Sequence, residues 1–198
     1  MDMEQLIHYL ETIYPLSPGL AEELTGRLQT RSFESQEFLL RSGHISRNIY
    51  YIEEGLVRCF YMIGDRDISA WFMKEGDVVV SVNSFFRQVP SAESIQALEP
   101  TTVQYIRYEE LEFLYKAFIP FNVHGRRVLT HYYCLSEERA ISMRSMKAKD
   151  RYTWLLRKEP HLLQRVPRKF LASYLGVSEF TLCRINNQKV QTFKKIHI

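Results

Sequence analysis

Residues 165–186 read RVPRKFLASYLGVSEFTLCRIN, and this stretch decides the fold of the C-terminal region. Pro167 predicts the start of a short helix, because the fixed φ of proline suits a first helical turn. Gly176 predicts a turn with positive φ, and Ser178 predicts a helix N-cap directly after it. Apolar residues at helical spacing on both sides of the turn predict two crossed helices that share one buried face: Leu171, Ala172, Leu175, Leu182 and Ile185.

The spacing of Ala172, Gly176 and Leu182 is typical of a DNA-binding helix-turn-helix, in which the second helix enters the major groove. Arg184 can contact guanine through two hydrogen bonds, Glu179 can accept one from cytosine, and an apolar group can meet the thymine methyl. We therefore expect the outward side chains to be base contacts, with two basic residues of the first helix and Lys189 placed at phosphates. The full set is Arg168, Lys169, Ser178, Glu179, Phe180, Thr181, Arg184 and Lys189. A hairpin of helices used only for packing is the alternative.

The charge distribution supports the same interpretation. From residue 147 to the end the chain has 12 Lys or Arg against three Asp or Glu, whereas residues 1–146 have 14 against 20. The overall formal charge of +3 hides this contrast. A basic end favours a polyanionic partner, because phosphate contacts release counterions, although a basic surface can also serve solubility alone.

The N-terminal part of the chain predicts two helices followed by an all-β segment. Residues 3–14 have apolar residues at helical spacing, and Ser17 with Pro18 predicts the start of a second helix. Residues 31–107 consist of apolar or aromatic runs separated by turn signals, which predicts six to eight strands in an antiparallel sandwich or roll. Gly64 and Asp65 predict a hairpin tip within it.

A helical pattern returns at Tyr108, and a longer helix is predicted from about residue 121 to residue 146. Steps of three and four residues along the long helix give a mostly apolar seam that could pair with a second copy of the chain. Packing of the helix on its own domain is the alternative, and both uses can coexist. The residues expected at a dimer interface are Phe121, Val128, Tyr132 and Leu135. We expect a sensor domain over residues 1–119, a dimerisation helix over 120–146 and a DNA-binding domain over 147–198.

Several classes of function lack their sequence signals. No phosphate-binding loop, nucleophile elbow or HExxH motif is present, so we expect neither an enzyme nor a catalytic residue. Cys59, Cys134 and Cys183 are scattered singly, which predicts free, core-filling thiols and no metal site or cofactor. The acidic N-terminus does not resemble a secretion signal and no run is long enough to span a membrane, so we expect a soluble cytoplasmic protein.

Nearly the whole chain resembles the Crp/Fnr regulators, the relatives of the catabolite activator protein. The segments that carry the resemblance are YYIEEGLVRCFY (50–61), KEGDVV (74–79), SAESIQALEPTTVQYIRYEEL (91–111), AKDRYTWLLRKEP (148–160) and VPRKFLASYLGVSEFTLCRI (166–185). The resemblance implies an α+β chain with an N-terminal double-stranded β-helix, or jelly roll, of the cyclic nucleotide-binding type with flanking helices. It further implies a long dimerisation helix and an all-α helix-turn-helix domain, whose two copies contact half-sites about one DNA turn apart.

The chain departs from the family pattern in the effector pocket. Cyclic-nucleotide binders of the family use a glutamate for the ribose and an Arg-Ser or Arg-Thr pair for the phosphate, whereas the aligned positions here are Ser81 and Ser91-Ala92, followed by Glu93. A pocket with a carboxylate and without that arginine repels a phosphate. We therefore expect no tight binding of cAMP or cGMP, although Arg87 lies nearby. The pocket either takes another small molecule through Ser81, Asn83, Ser91 and Glu93 or has no ligand.

Residues 187–198 are too few for the β-hairpin wing of many family members, so Lys189, Lys194 and Lys195 are expected to act as a terminal arm or helix extension. The resulting prediction is a homodimeric, sequence-specific DNA-binding transcription regulator. Its expected partners are double-stranded DNA and a second copy of the chain, with RNA polymerase and a small-molecule effector as further candidates. The alternative is a cyclic nucleotide-binding-like module that acts through protein contacts.

Overall fold

The structure is a computed structural model that describes residues 4–196, and of residues 4 and 188–196 it describes the backbone alone. The chain forms two compact units. The first unit holds the residues up to 61 together with 71–134, and the second holds 62–70 together with the residues from 135 onward. One long helix, α5, contributes to both units.

Two helices precede the strands, one short helix lies among them, and the other helices follow the last strand. The helices of the first unit are α1 (Glu4–Ile13), α2 (Pro18–Arg27), α3 (Val82–Arg87) and α4 (Tyr108–Ala117), with a 3-10 turn at Ile119–Phe121. The helices that follow are α5 (Asn122–Ser145), α6 (Ala148–Lys158), α7 (Leu162–Arg165), α8 (Arg168–Tyr174) and α9 (Glu179–Ile196). Among the described residues, no helix combines the length and the apolar character that crossing a bilayer requires.

Eight strands form two four-stranded antiparallel sheets. They are β1 (Gln29–Phe33), β2 (Phe38–Leu40), β3 (Asn48–Glu54), β4 (Val57–Ile63), β5 (Arg66–Met73), β6 (Val78–Val79), β7 (Glu93–Ala97) and β8 (Thr101–Arg107). The strand orders are β1-β8-β3-β6 and β2-β7-β4-β5. This confirms the predicted α+β chain with an N-terminal β-roll.

Local sequence signals account for the boundaries of several elements. The Ser17 hydroxyl accepts a hydrogen bond from the Leu20 N–H at 3.4 Å, and Pro18 occupies the first turn of α2, as predicted. Gly64 has a φ of +59° in the two-residue connection between β4 and β5. The predicted hairpin tip is therefore present. Glycine suits this position because it adopts positive φ without steric cost.

Two apolar clusters form the core of the first unit. One fills the roll between the two sheets and includes Ile52, Val57 and Ile95. The other joins α1, α2, α3, α4 and the 3-10 turn to residues of β3 and β8, and it includes Leu24, Leu114 and other buried residues. Burying side chains of this size contributes about 1.5–3 kcal/mol each, so these clusters supply the main stabilisation of the roll.

The predicted dimer seam of α5 packs within its own chain. Phe121, the last residue of the 3-10 turn before α5, is only 4% exposed and packs in the second cluster, and its contact with a partner stays a prediction. Val128, Tyr132 and Leu135 are half-buried. The Tyr132 hydroxyl accepts a hydrogen bond from the Val78 N–H at 2.7 Å, and burial raises the pKa of this phenol. The seam therefore attaches α5 to its own unit.

The cysteines differ in their exposure. Cys59 is buried inside the roll and Cys183 is half-buried, but Cys134 is exposed on α5. The prediction that all three fill core space is therefore wrong for Cys134. Its position on the outer side of the helix could not be inferred from helical spacing before the inner face of α5 was known.

Candidate DNA-binding surface and effector pocket

The two crossed helices predicted around Gly176 are α8 and α9. Gly176 has a φ of +65°, and the Ser178 hydroxyl accepts a hydrogen bond from the Thr181 N–H at 3.2 Å. The five predicted inner residues are all buried. The positive φ favours glycine here, and a β-carbon on Gly176 would also displace the flexible end of the Met143 side chain, whose Cε lies 2.6 Å from that position.

The outward side of this helix pair carries the predicted contact residues. Phe180 is 77% exposed, and Arg184 is exposed one turn further along α9. Arg168 and Lys169 are exposed at the start of α8. Among the described residues, no carboxylate lies within ion-pair distance of these three basic side chains. Of the other predicted contacts, Ser178 and Glu179 are exposed and Thr181 is half-buried, whereas the side chain of Lys189 lies outside the described part of the chain.

Two arginines that were not assigned this role from the sequence support the helix pair within the second unit. Arg151 donates from Nε to the Leu175 carbonyl at 2.9 Å and from Nη1 to the Met146 carbonyl at 2.6 Å. Arg139 donates to the Tyr174 carbonyl at 2.8 Å, with its guanidinium 3.7 Å from the centre of the Tyr174 ring. Both satisfy carbonyls at helix ends, which have no partner inside their own helix.

Ser173 on α8 connects the helix pair to residues 62–70, which belong to the same unit. Its hydroxyl donates to the Asp67 carbonyl at 2.8 Å and accepts from the Ser69 N–H at 2.9 Å. The Ser173 hydroxyl thus bonds to a backbone carbonyl and to a backbone N–H in the same stretch of β5. This pairing fixes the position of the first helix relative to the hairpin tip.

The predicted effector residues of the roll bond to each other. Ser81 and Ser91 are buried, with 3% and 4% exposure, and their hydroxyl oxygens lie 2.9 Å apart. Ser91 Oγ also donates to the Glu93 carbonyl at 2.8 Å and accepts from the Glu93 N–H at 3.1 Å. The Glu93 carboxylate accepts from Tyr61 and from Ser81, whose single hydroxyl proton is shared between Glu93 and the Ser91 oxygen. These four residues are the serine–glutamate cluster.

Burial governs the ionisation of this cluster. It raises the pKa of the Glu93 carboxyl, an effect that the hydrogen bonds from Ser81 and Tyr61 partly offset. Burial together with the neighbouring Glu93 raises the pKa of Tyr61 to about 12. Tyr61 was missed from the sequence, although it follows Cys59 by two residues on β4 and so lies on the same face of the strand, where it is 37% exposed. Asn83, by contrast, is exposed on α3 and makes no hydrogen bond to the cluster.

Comparisons with known proteins agree with this architecture. Residues 30–118, from β1 to the end of α4, match the family model described as "Cyclic nucleotide-binding domain". No curated protein sequence matches the chain.

Solved structures match over most of the chain. FixK2 of Bradyrhizobium japonicum superimposes with a TM-score of 0.72 at 19% identity, covering 83% of this chain and 85% of FixK2. CLP of Xanthomonas campestris, a c-di-GMP responsive global regulator, gives 0.69 at 20% identity, with 90% and 93% covered. The catabolite activator protein of Thermus thermophilus gives 0.57 at 17% identity, with 93% and 87% covered. The chain has the Crp/Fnr regulator fold.

The matched domain covers residues of the first unit together with residues 62–70 of the second unit, whereas the helix pair lies wholly in the second unit. The family resemblance assigns the cyclic-phosphate position to Ser91 and Ala92. Ser91 bonds to Ser81 and to the backbone of Glu93. The Ser81 and Ser91 hydroxyls are therefore already bonded within the protein, whereas Asn83 is exposed.

Proposed function

We propose that the chain is a sequence-specific DNA-binding transcription regulator that works as a homodimer and places α9 in the major groove. The observation that carries the proposal is the exposed face of the helix pair, where Arg184, Arg168 and Lys169 have no carboxylate partner among the described residues. Basic side chains in this state are available to phosphates and base edges.

The position of each side chain suggests its task on DNA. Arg184 follows the N-terminal turn of α9 and has the geometry to contact guanine O6 and N7 through two hydrogen bonds. Phe180 is apolar and exposed, which suits contact with a thymine methyl group. Arg168 and Lys169 begin the other helix and suit the phosphate backbone, as such residues do in helix-turn-helix proteins.

The homodimer would form through a seam of α5 that lies one residue further along than the predicted one. Leu129 and Tyr133 are 42% and 64% exposed, and steps of three and four residues continue to Ser136, Ala140 and Met143, all exposed. Small residues at two of these positions allow close approach of two helices. These five residues are the outer seam.

Sedimentation analysis tests this assignment. Leu129→Glu and Tyr133→Glu each place like charges against each other in a parallel pair, so we expect the variants to sediment as monomers while the parent chain sediments as a dimer. Thr130→Glu is the matched control, because Thr130 is exposed on the same turn but outside the outer seam. If both seam variants remain dimers and the Thr130→Glu variant is a monomer, the outer seam is not the dimer interface.

The effector of the roll, if it has one, is proposed to be other than a cyclic nucleotide. A cyclic phosphate placed at Ser91 would meet the Glu93 carboxylate and would break the Ser81–Ser91 hydrogen bond. A ligand of different chemistry would act by population shift, favouring the dimer geometry that fits two adjacent major grooves. If the roll has no ligand, the dimer would keep the geometry that fits two adjacent major grooves at all times.

The salt dependence of DNA binding tests the proposed function against the alternative of a module that binds a protein partner. We expect DNA affinity to fall steeply with salt, and Arg168→Gln with Lys169→Gln to lower the slope of log K against log salt by about 2. Arg27→Gln is the control, because Arg27 lies on α2 and is paired with Glu23 at 2.7 Å. Absence of DNA binding at low salt would favour the protein-binding module.

A further inference from the structure

A second concave surface lies at the end of the roll that holds the connection from β2 to β3, next to the backbone of Ser91. It is a cleft of about 350 Å³ formed by β2, by the connection from Arg41 to Arg47, and by the start of β3. From its lining we infer that this cleft binds a small organic anion with a planar body, which carries a phosphate or a carboxylate group. The volume is at the lower end of the range for small-molecule sites, which is about 300–1,000 Å³.

The lining of the cleft combines an apolar floor with a basic rim. Leu40 and Tyr50 are buried lining residues, and Phe38 adds an aromatic ring. The exposed lining residues include Arg41 and Arg47, and no Asp or Glu lines the cleft. His44 and Asn48 supply further nitrogen donors. A planar body on the floor and an anionic group at the rim would match this arrangement.

The basic rim retains its capacity to bind an anion. The Arg41 guanidinium lies 3.7 Å from the centre of the Phe38 ring, and among the described residues no carboxylate lies within ion-pair distance of it. Arg47 approaches Glu109 at only 3.9 Å, with both side chains about two-thirds exposed. Such an exposed pair is worth between 0 and about 1 kcal/mol, so it does not prevent Arg47 from binding another anion.

Hydrogen bonds hold the connection between β2 and β3 in place. The Gly43 N–H donates to the Ser91 carbonyl at 2.7 Å, and the Ser91 N–H donates to the His44 carbonyl at 2.9 Å. The Ser46 N–H donates to the Ser84 hydroxyl at 2.8 Å, and Gly43 has a φ of +87°. The rim is therefore attached to the body of the roll, and a ligand need not order a free loop in order to bind.

Calorimetric titration of the full chain tests the inference with three probes. Adenosine monophosphate supplies a phosphate, 4-hydroxybenzoate supplies a carboxylate, and adenosine supplies a planar body without an anion. We expect one of the charged probes to bind saturably below about 1 mM, and adenosine to bind at least about tenfold more weakly. Which charged probe binds decides between phosphate and carboxylate.

Variants then locate the site. Arg41→Gln with Arg47→Gln should weaken binding at least about tenfold, because charge-assisted hydrogen bonds are lost. Arg31→Gln is the matched control, since Arg31 is exposed on the same roll but paired with Glu37. Ser81→Ala changes the serine–glutamate cluster at a residue that makes no bond to the rim, and it should leave binding unchanged. Binding of neither charged probe below about 1 mM would overturn the inference, as would loss of binding in Ser81→Ala with retention in the double arginine variant. DNA binding by the parent chain is a separate measurement, so failure here leaves the proposed function standing.

Discussion

The helix-turn-helix face and the effector pocket use their polar side chains in opposite ways. On α8 and α9 the basic residues Arg168, Lys169 and Arg184 are exposed, and Phe180 leaves 77% of its surface to solvent. In the roll, Ser81 and Ser91 are almost fully buried and bond to each other. An exposed donor keeps its capacity for a partner, whereas a satisfied donor must first break a bond, at a cost of about 0.5–1.5 kcal/mol each.

This contrast indicates that the helix pair, and not the pocket in the roll, has side chains that can bind a ligand without first breaking a hydrogen bond. The exposed face that is proposed to bind DNA presents its side chains without rearrangement, and Arg139 and Arg151 bond to carbonyls at the end of α8. The pocket in the roll needs rearrangement before any effector can use the same hydroxyls. Substitutions that compare a supporting residue with a contact residue therefore test the contrast directly.

The largest effect is expected from Leu182→Ala on the inner face of α9. Leu182 is buried between the two helices, so the truncation should lower the free energy of unfolding of the second unit by about 2–5 kcal/mol. Phe180→Ala on the outer face of the same helix should change it by less than about 0.5 kcal/mol. Chemical denaturation followed by circular dichroism measures both. Equal losses would mean that Phe180 is a packing residue.

Arg151→Ala should have the next largest effect. It leaves the Leu175 and Met146 carbonyls without their side-chain donors and should cost about 1.5–3 kcal/mol in the same denaturation experiment. Arg157→Ala is the control, because Arg157 is exposed on the same helix α6. If both variants unfold at the denaturant concentration of the parent chain, Arg151 does not support the helix pair.

Arg184→Ala should change DNA recognition and leave the fold intact. We expect a loss of about 1–3 kcal/mol in discrimination at one base position per half-site, with unchanged circular dichroism. Competition binding with operators that differ at single positions measures the change. Uniform weakening across all operators would instead make Arg184 a phosphate contact.

The smallest effect concerns the pH dependence of the roll. Because the pKa of the folded Glu93 carboxyl is raised, the folded chain holds a proton that the unfolded chain has released. The free energy of unfolding should therefore fall as pH rises from about 4.5, the ordinary pKa of the group, through its raised folded value. Glu93→Gln should flatten this part of the profile in thermal melts across pH. Parallel profiles for the parent and the variant would show that Glu93 is not responsible.

The sequence was sufficient for the helix-turn-helix because its signals are local. The turn at Gly176, the cap at Ser178 and the apolar spacing all lie within residues 165–186 and point to one structure. Turn signals at regular intervals predicted an antiparallel sandwich or roll in the same way, and the family resemblance implied the roll. Neither prediction required knowledge of distant contacts.

The inner face of α5 and the bonds of the pocket could not be inferred in this way. The seam through Tyr132 and the outer seam through Tyr133 have the same step pattern. The bond from the distant Val78 N–H to Tyr132 shows that the first of these seams packs against its own chain. The roles of Arg139 and Arg151 likewise depend on carbonyls more than 20 residues away. Alignment placed Ser81 and Ser91 together, but it gave no sign that their hydroxyls bond to each other.

Selection of DNA from a random library by the full chain, at moderate salt and with and without cAMP, tests the central claim most directly. The account predicts enrichment of an inverted repeat with half-site centres about one helical turn apart, and the same repeat in both conditions. Enrichment of no sequence would contradict the proposed DNA recognition, and a repeat that appears only with cAMP would contradict the closed serine–glutamate cluster.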